Sequence, residues 1–281
     1  MALEVAERQG LEILSVDTGQ SRKGMEIGTA AASAPEQSRV RHHLVSYLSP
    51  TDPDSVVAFL KRAQSVLDTP GPDLLAVGGT GQFLSGLLKG IDPVPAPDPD
   101  LRQQLHARWE IEGREPLWKE LTALDPAPPH DAWQNPVRLL RALEKAILLS
   151  RGASTIAHPP LAAGIPVLAL ELDRALLHGR LDQRLTQMLE AGWRKEVKAL
   201  DIFPGDAPCW KCIGYPELRE VIGVDPLPPR SRERILEATR QYAKRQETWL
   251  RNKLSPVWVR ADRPVDQIAS EVSRHLEEGS P

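Results

Sequence analysis

We predict an α/β fold built on a parallel sheet, because the chain twice shows a short apolar strand that leads through small residues into a helix. The first such strand covers residues 11–16 and ends at Asp17. The second, LLAV at 74–77, runs through the Gly-Gly-Thr turn at 78–80 directly into an apolar helix. Strands that are apolar at every position, rather than at alternate positions, are typical of parallel sheets covered on both faces.

The other elements follow from periodicity and from residues that break it. The chain opens with a helical pattern, and Gly10 suits its C-cap. A helix is predicted at about 55–67, where the Pro-Gly-Pro at 70–72 ends it, and another follows the Gly-Gly-Thr turn. Prolines at alternate positions from 93 to 99 exclude a helix or a central strand, so this stretch is predicted to be a stiff extended connector.

Three helical patterns without an intervening strand follow at roughly 98–112, 114–124 and 135–150. The apolar stretch 165–172 then predicts a return to the sheet. The remaining chain predicts a strand at 257–262 and helices at 174–200, 231–253 and 264–277. We therefore expect three segments, which are the first part of an α/β core (1–97), a helical insertion (98–150) and the second part of the core (151–281).

Composition excludes several classes of protein. The 281 residues carry a net charge of −3, so bulk charge gives no argument for nucleic-acid binding, but the segment 230–260 holds nine Lys or Arg and only three Glu. There is no apolar run of about 20 residues for a membrane span and no signal peptide. Two cysteines cannot form a disulfide framework, so we expect a cytoplasmic protein without membrane contact.

Metal-binding patterns are weak. Cys209 and Cys212 have C-x-x-C spacing, but no second cysteine pair or suitably spaced histidine accompanies them, so a structural role or coincidence is favoured. The adjacent His42 and His43 would point to opposite sides of a strand and would not share one ion. We therefore predict no metal site built from side chains.

The carboxyl ends of the two strands are the first candidate site, because open α/β sheets bind ligands there. Asp17 and the turn at 78–80 both lie at such ends. The alternative is purely structural: the Asp would only form a turn, and the two glycines would only allow a tight turn. On the long helix, Ile235, Tyr242 and Trp249 share one face and are predicted to pack in the core. Another face carries Arg240, Lys244 and Arg251, and it is either a phosphate-binding surface or a solvated charged surface.

Taken together, the segments resemble the bacterial tRNA dimethylallyltransferases, also called isopentenyl-diphosphate:tRNA isopentenyltransferases. The block ATRQYAKRQETWLR is the most specific, followed by GMEIGTA and GGT. The matching stretches occur in the family's order: SVDTGQSRKGMEIGTA (15–30), HHLVSYLSPTD (42–52), VGGTGQFLSGLLKG (77–90), PDPDLR (97–102), NPVRLLRALE (135–144), KCIGYPEL (211–218) and ATRQYAKRQETWLR (238–251).

The resemblance implies a P-loop kinase-like core, with the insertion 98–150 contacting the anticodon arm. It implies transfer of a dimethylallyl group from its diphosphate to N6 of the adenosine 3′ of the anticodon (tRNA position 37), in tRNAs reading codons that begin with U. The expected partners are the tRNA anticodon stem-loop and dimethylallyl diphosphate, with Mg²⁺ as cofactor, and the enzyme is expected to be a monomer.

Site residues carry over by position. Asp17 matches the family's proton acceptor, which the chemistry needs because the adenine amino lone pair is delocalised into the ring. Thr80 matches a substrate-contacting Thr near the reacting centre. The family's tRNA contacts carry over to Asp17, Thr18, Gly19, Gln20, Thr80, Arg102, Val137, Arg138, Leu139, Leu140, Arg141, Lys211, Cys212, Ile213, Gly214, Tyr215, Pro216, Lys244, Arg245, Gln246, Glu247, Thr248, Trp249, Leu250 and Arg251.

Two departures bear on activity. No G-x-x-x-x-G-K-[ST] phosphate loop occurs in the 281 residues, so we expect Met1 to be an internal or miscalled start and strand edges to lie uncovered. Ser21 and Arg22 stand where the family usually has an apolar and an aromatic residue. Three alternatives stay open, namely a non-catalytic tRNA-binding remnant, a small-molecule nucleotide kinase of the same core fold and an adenylate-prenylating enzyme.

Overall fold

The computed structural model describes residues 1–278, and the chain divides into two compact units. Unit 1 comprises Met1–Lys89 together with the chain from Leu161 onward, and unit 2 comprises Gly90–Pro160. Unit 2 therefore contains the whole segment predicted as the helical insertion, with about ten further residues on each side. The last three residues of the predicted third segment lie outside the described part of the chain.

Strands and helices are mixed along the chain, as predicted. In chain order they are α1 (Ala2–Gln9), β1 (Glu12–Ser15), α2 (Glu26–Thr29), α3 (Ala34–Arg39), β2 (His42–His43), α4 (Val56–Leu67), β3 (Leu74–Val77), α5 (Gly81–Lys89), β4 (Ile91–Pro95), α6 (Pro99–Glu112), α7 (Arg114–Leu124), α8 (Pro136–Ser150), β5 (Thr155–His158), β6 (Leu168–Glu171), α9 (Arg174–Glu190), α10 (Trp193–Leu200), a 3-10 turn (Pro208–Lys211), α11 (Tyr215–Arg219), α12 (Pro229–Lys253), β7 (Val257–Arg260) and α13 (Val265–Glu278). No helix within residues 1–278 is long and apolar enough to cross a membrane.

The sheet of unit 1 is parallel, which confirms the predicted class. Strand β1 lies between β2 and β3, and its residues 12–15 pair in register with 74–77 of β3. Strands β6 and β7 form a second parallel pair. In the described residues β3 pairs only with β1 and β6 only with β7, so each has one edge without a strand partner. Strand β3 is consequently half-buried along its length, whereas β1 is buried from Ile13 onward.

Two predicted elements are corrected by the structure. The helix predicted at 174–200 is two helices, because Gly192 between them adopts φ of 103°, a backbone conformation that cannot continue an α-helix. The proline stretch predicted to be a connector includes strand β4, which pairs antiparallel with β5. Proline is tolerated there because a two-stranded sheet has only edge strands, which can leave N–H positions unpaired.

The main core of unit 1 lies around α10, α11 and the first half of α12. Trp193, Tyr215 and Ile235 are each at most 2% exposed, and they pack in one cluster with Met25 from the segment that follows β1. This cluster connects the segment after β1 to the long helix, so it positions the loops at the carboxyl ends of the strands.

Unit 2 is built on the packing of α6, α7 and α8. Leu105, Leu117, Leu139 and Leu143 are at most 1% exposed in its apolar core. Beside this core lies Glu144, whose side chain is 1% exposed.

The Glu144 carboxylate is satisfied by three donors. It accepts from Arg102 Nη2 (2.9 Å), lies 2.8 Å from Arg141 Nη1 and accepts from the Asp98 amide (3.0 Å). Burial raises the pKa of Glu144, but the bonds from Arg141, Arg102 and the Asp98 amide outweigh burial and hold that pKa below its usual range.

We expect Glu144→Gln to destabilise unit 2 by about 2 kcal/mol at pH 7, because it removes the charged hydrogen-bond acceptor of two partly exposed arginines. The folded-state pKa is depressed, so this stabilisation exists above the unfolded value of about 4.3 and is lost as pH falls through the folded value. Urea denaturation at pH 7 and pH 3.5 measures the effect, with the exposed Glu110→Gln as control. An equal loss for the two variants at pH 7 would contradict the assignment.

Candidate functional site

The predicted site lies where β1 and β3 end, and we call this place the crevice. The Val16 amide donates to the Val77 carbonyl (2.7 Å), and the Thr80 amide donates to the Val16 carbonyl (3.2 Å). The Thr18 amide in turn donates to Thr80 Oγ1 (3.1 Å). The two strand ends are thus bound to each other, which places Asp17 and Thr80 side by side as the strand order predicts.

Asp17 forms a turn with one oxygen and leaves the other available. Its Oδ1 accepts from the amides of Gly19 (2.8 Å) and Gln20 (3.3 Å), which is the turn-forming role. Within residues 1–278 no hydrogen-bond donor contacts Oδ2. The turn fixes the carboxylate direction without using both of its oxygens, so the turn-forming and functional interpretations are compatible.

The environment of Asp17 favours its neutral form. Burial raises the pKa of Asp17 above its usual range, while the two amide bonds and the charge of Arg184 act in the opposite direction. Arg184 comes from α9, and partial burial lowers its pKa although the residue stays accessible to solvent. In the described residues its guanidinium makes no hydrogen bond. The sequence did not predict a role for Arg184, because a single arginine on a polar helix does not indicate that the helix packs near Asp17.

Helix α12 closes one side of the crevice by lying against the Gly-Gly-Thr turn. Gln246 Nε2 donates to the Gly79 carbonyl (3.1 Å), and the Tyr242 hydroxyl lies 3.5 Å from the same oxygen. A Cβ at Gly79 would fall 1.8 Å from Gln246 Nε2, and a Cβ at Gly81 would fall 2.6 Å from the Trp249 ring. The glycines therefore allow the helix to approach the turn.

This contact corrects the predicted core face of α12. Ile235 is buried as predicted, but Tyr242 and Trp249 are only half-buried, because this part of the helix has left the core and lies over the turn. Burial raises the pKa of Tyr242, and the negative charge of Asp17 acts in the same direction. Tyr242 therefore lies close enough to sense the Asp17 carboxylate.

The loop Lys211–Pro216 is held by a carboxylate that the sequence analysis did not single out. Glu196 accepts from the amides of Ile27 (2.8 Å) and Gly28 (3.0 Å) and from the Tyr215 hydroxyl (2.7 Å). Burial raises the pKa of Glu196, and these bonds oppose the shift. Tyr215 is fully buried, so its contribution is to anchor the loop.

The two cysteines are free and poorly reactive. Burial raises the pKa of Cys212 to about 11 and also raises the pKa of Cys209, so both favour the thiol. The two histidines make separate contacts, His42 Nδ1 with the Val40 carbonyl (2.8 Å) and His43 Nε2 with Glu12 Oε2 (2.5 Å). Neither pair forms a shared metal site in the described residues.

The basic side chains of α12 differ in how far their charges are already paired. Arg251 is paired with Glu247 (2.8 Å) and lies over the Trp258 ring at 5.1 Å. Arg240, from the same predicted basic face, is paired with Glu233 at 2.8 Å. Lys244 is exposed, and its ammonium has no partner within residues 1–278. The basic face is therefore partly neutralised in the free protein.

In unit 2 the predicted contacts divide into buried and accessible residues. Leu139 and Leu140 are 0% and 4% exposed, so their side chains belong to the core of that unit. Val137 is 72% exposed, and Arg138 beside it is exposed and paired with Asp131. Only the accessible side chains of this segment can meet a partner without unfolding.

Comparison with known proteins identifies the family. The model of a family described as IPP transferase matches residues 20–253. The tRNA dimethylallyltransferase of Chromohalobacter salexigens is 37% identical over 279 residues, covering 93% of this chain and 88% of that protein. The chain belongs to the IPP transferase family. The tRNA dimethylallyltransferase of Paracidovorax citrulli is also 37% identical, over 90% of this chain and 78% of its own length.

Solved structures of the IPP transferase family share the fold. The tRNA isopentenylpyrophosphate transferase of Bacillus halodurans superposes with a TM-score of 0.70 at 29% identity, covering 99% of this chain and 92% of its own. A eukaryotic dimethylallyltransferase acting on tRNA gives a TM-score of 0.78 at 22% identity, over the whole of this chain and 76% of its own. The predicted α/β class with a parallel sheet flanked by helices is confirmed.

The residues of the crevice do not form a magnesium cage. Within residues 1–278 no group of three or more His, Cys, Asp or Glu side chains is placed to hold a metal ion. Mg²⁺ is usually held by one or two carboxylates together with substrate phosphates and waters rather than by protein ligands alone, and the Asp17 carboxylate and Thr80 hydroxyl fit such a mixed shell. Mg²⁺ therefore remains a prediction from the resemblance.

We expect Gly81→Ala to destabilise the protein by about 1–3 kcal/mol, because the new methyl group overlaps the Trp249 ring and forces α12 away from the turn. The matched control is Gly179→Ala in α9, where a Cβ meets nothing within 4 Å and helix propensity predicts a gain of roughly 0.5–1 kcal/mol. Thermal unfolding followed by tryptophan fluorescence compares the two. Equal stability of both variants would show that the contact is not tight.

Proposed function

We propose that this chain is a tRNA dimethylallyltransferase that modifies N6 of the adenosine 3′ of the anticodon. The observation that carries the proposal is the Asp17 carboxylate, which lies at the crevice with one oxygen fixed by a turn and the other available. Membership of the IPP transferase family and the tRNA-modifying names of the relatives support it.

The chemistry needs a proton acceptor beside the amino group. A bond forms between N6 of adenine and C1 of the dimethylallyl group, the C1–O bond to diphosphate breaks, and diphosphate leaves with the electron pair of that bond. N6 loses one proton in the process, and Asp17 Oδ2 is the proposed acceptor. Thr80, beside Asp17, is the proposed substrate contact, and Mg²⁺ would neutralise part of the diphosphate charge when it is bound.

The leaving diphosphate is a concentrated anion. Arg184 is the cation that acts on Asp17, and its guanidinium keeps access to solvent without a hydrogen-bond partner in the described residues. We therefore propose that Arg184 faces the diphosphate and stabilises its developing charge. In the absence of substrate the same charge opposes the rise of the Asp17 pKa and so keeps the base available.

The target adenine must leave its stack to reach the crevice, at a cost of a few kcal/mol. Contacts with the tRNA backbone offset this cost. The proposed contacts are the loop Lys211–Pro216 and the second half of α12 in unit 1, and Val137 and Arg138 in unit 2. We propose that the enzyme works as a monomer on tRNAs that read codons beginning with U.

A second candidate is a tRNA-binding protein without transferase activity. It is favoured by the absence of a G-x-x-x-x-G-K-[ST] loop from the 281 residues. Incubation of the chain with tRNA, Mg²⁺ and labelled dimethylallyl diphosphate separates the two, with a tRNA that lacks the target adenosine as control. N6-dimethylallyladenosine in the digested tRNA supports the enzyme, whereas tight binding of unmodified tRNA supports the binding protein.

We expect Asp17→Asn to lower the single-turnover transfer rate by about 100- to 10,000-fold, because the amide cannot accept the N6 proton. The wild-type rate should rise with pH through the Asp17 pKa, which lies above the usual aspartate range, and the variant should lose this dependence. Asp68→Asn, at an exposed helix end, is the matched control and should leave the rate unchanged.

Stability distinguishes lost chemistry from lost folding in this variant. Because burial raises the Asp17 pKa, the protonated, neutral side chain contributes stability at low pH, and this stability is lost as pH rises through the folded-state pKa. Asp17→Asn should therefore be at least as stable as the wild type at pH 7. A wild-type transfer rate in Asp17→Asn would show that Asp17 is not the base.

We expect Lys244→Ala to weaken tRNA binding and to reduce the slope of log K against log salt by about 1, because the free ammonium releases a counterion from the RNA. Arg251→Ala should change the slope less, since Arg251 is already paired with Glu247. Fluorescence anisotropy with a labelled anticodon stem-loop between 50 and about 200 mM salt measures both. Equal slopes for Lys244→Ala and wild type would place Lys244 outside the interface.

A further inference from the structure

Arg22 is a buried arginine in the loop that carries Asp17. It is 6% exposed and its neighbour Ser21 is 2% exposed, in a position where the family resemblance predicts an aromatic residue. Arginine is almost never fully buried unless its charge and donors are matched. The contacts of this side chain therefore define a role that the proposed chemistry does not use.

The Arg22 guanidinium donates from one nitrogen to three backbone carbonyls. Nη1 lies 3.1 Å from the Ser49 carbonyl, 3.2 Å from that of Pro50 and 2.9 Å from that of Asp52. All three belong to one turn, which we call the carbonyl turn (residues 49–52). The side chain thus connects the Asp17 loop to a turn about 30 residues further along the chain.

Backbone bonds extend this connection along the segment before the carbonyl turn. The amides of Tyr47 and Leu48 donate to the Ser21 carbonyl at 2.9 Å each, and the Lys23 amide donates to the Leu48 carbonyl at 2.9 Å. Ser21 Oγ also donates to the Thr18 carbonyl (2.8 Å), so the buried serine fixes the loop that begins at Asp17.

The carbonyl turn also holds the third loop of the site. The Pro50 carbonyl, one of the acceptors of Arg22, accepts from the Cys209 amide (3.1 Å). Cys209 begins the stretch that continues into Lys211–Pro216, a proposed tRNA contact. Burial raises the Cys212 pKa to about 11, with the Arg22 charge lowering it and the Asp17 charge raising it, so Cys212 lies near both groups. Arg22 therefore lies at a junction of three loops.

A buried carboxylate lies near Arg22 and pairs with another arginine. The Asp54 side chain is 4% exposed and lies 3.5 Å from Arg62. Its Oδ2 is buried without a hydrogen-bond partner in the described residues. Burial raises the Asp54 pKa, while the charges of Arg62 and Arg22 oppose the rise. The junction therefore contains a negative charge that would lose part of its compensation without Arg22.

We propose that Arg22 is a positioning residue that holds the Asp17 loop and the loop Lys211–Pro216 on the carbonyl turn. It replaces, by hydrogen bonds and charge, the packing that an aromatic residue would provide. Its effect on catalysis rests on the proposed function, whereas its effect on the three loops does not. The predicted consequence is that loss of Arg22 displaces the base and the tRNA-contact loop together.

The test compares Arg22→Met with Arg22→Lys. A lysine ammonium keeps the positive charge but ends one bond short of Arg22 Nη1, so it can restore the charge and part of these bonds, whereas methionine restores neither. Hydrogen exchange is measured on peptides that cover 17–24, 46–52 and 208–212, with the strand peptides 12–15 and 74–77 as internal references. Arg22→Met should accelerate exchange in the three loop peptides at least tenfold without changing the strand peptides, and Arg22→Lys should restore part of the protection.

The single-turnover transfer rate is measured on the same variants. A displacement of about 1 Å can cost on the order of 100-fold, so Arg22→Met should lose about that factor in the single-turnover rate, with a smaller change in tRNA affinity. Arg22→Lys should recover part of this loss. Arg39→Met, which removes an exposed arginine paired with Glu7, is the matched control and should change neither measurement.

Wild-type exchange in Arg22→Met, or equal impairment of the Met and Lys variants, would overturn the proposal. If Arg22→Met does not fold, Arg22→Gln takes its place in the same comparison with Arg22→Lys. If the wild-type chain shows no transfer, the proposed function fails, but the exchange measurement still decides whether Arg22 holds the three loops.

Discussion

The close approach of helix α12 to the Gly-Gly-Thr turn is the constraint on which the site depends. Gln246 bonds to the Gly79 carbonyl, and Trp249 lies where any side chain at position 81 would be. The same turn is bonded to the end of β1, so the helix, the turn and Asp17 form one structure. A helix that carries proposed tRNA contacts thereby packs directly against the turn beside Asp17. A displacement of α12 would therefore also displace the turn and Asp17.

The environment of Asp17 contains opposing effects on its charged form. Burial disfavours its charged form, whereas two amide bonds and Arg184 favour that form. A base whose pKa is raised toward the working pH accepts a proton more readily, which suits the weakly nucleophilic amino group of adenine. The carboxylate therefore costs the protein stability at the position where its basicity is useful, a pattern common at functional sites.

Local patterns predicted most of the fold and the position of Asp17, but not the side chains that support it. Strands β1 and β3 and helices α6–α8 lie where periodicity placed them, because each is a local amphipathic or apolar pattern with clear breakers. The helix break at Gly192 was missed because a glycine within a helical pattern is often tolerated. Arg184 and Glu196 were missed, and Arg22 was noted only as a departure from the family pattern. Their roles arise from contacts with residues about 30 to 170 positions away, for which one sequence carries no periodic signal.

The most direct test is a solved complex of this chain with an anticodon stem-loop and a non-reactive dimethylallyl diphosphate analogue. We expect the adenosine 3′ of the anticodon to be turned out of its stack, with N6 about 2.6–3.2 Å from Asp17 Oδ2. A carboxylate that points away from the purine, or a purine bound elsewhere on the protein, would contradict this account even though the chain belongs to the family.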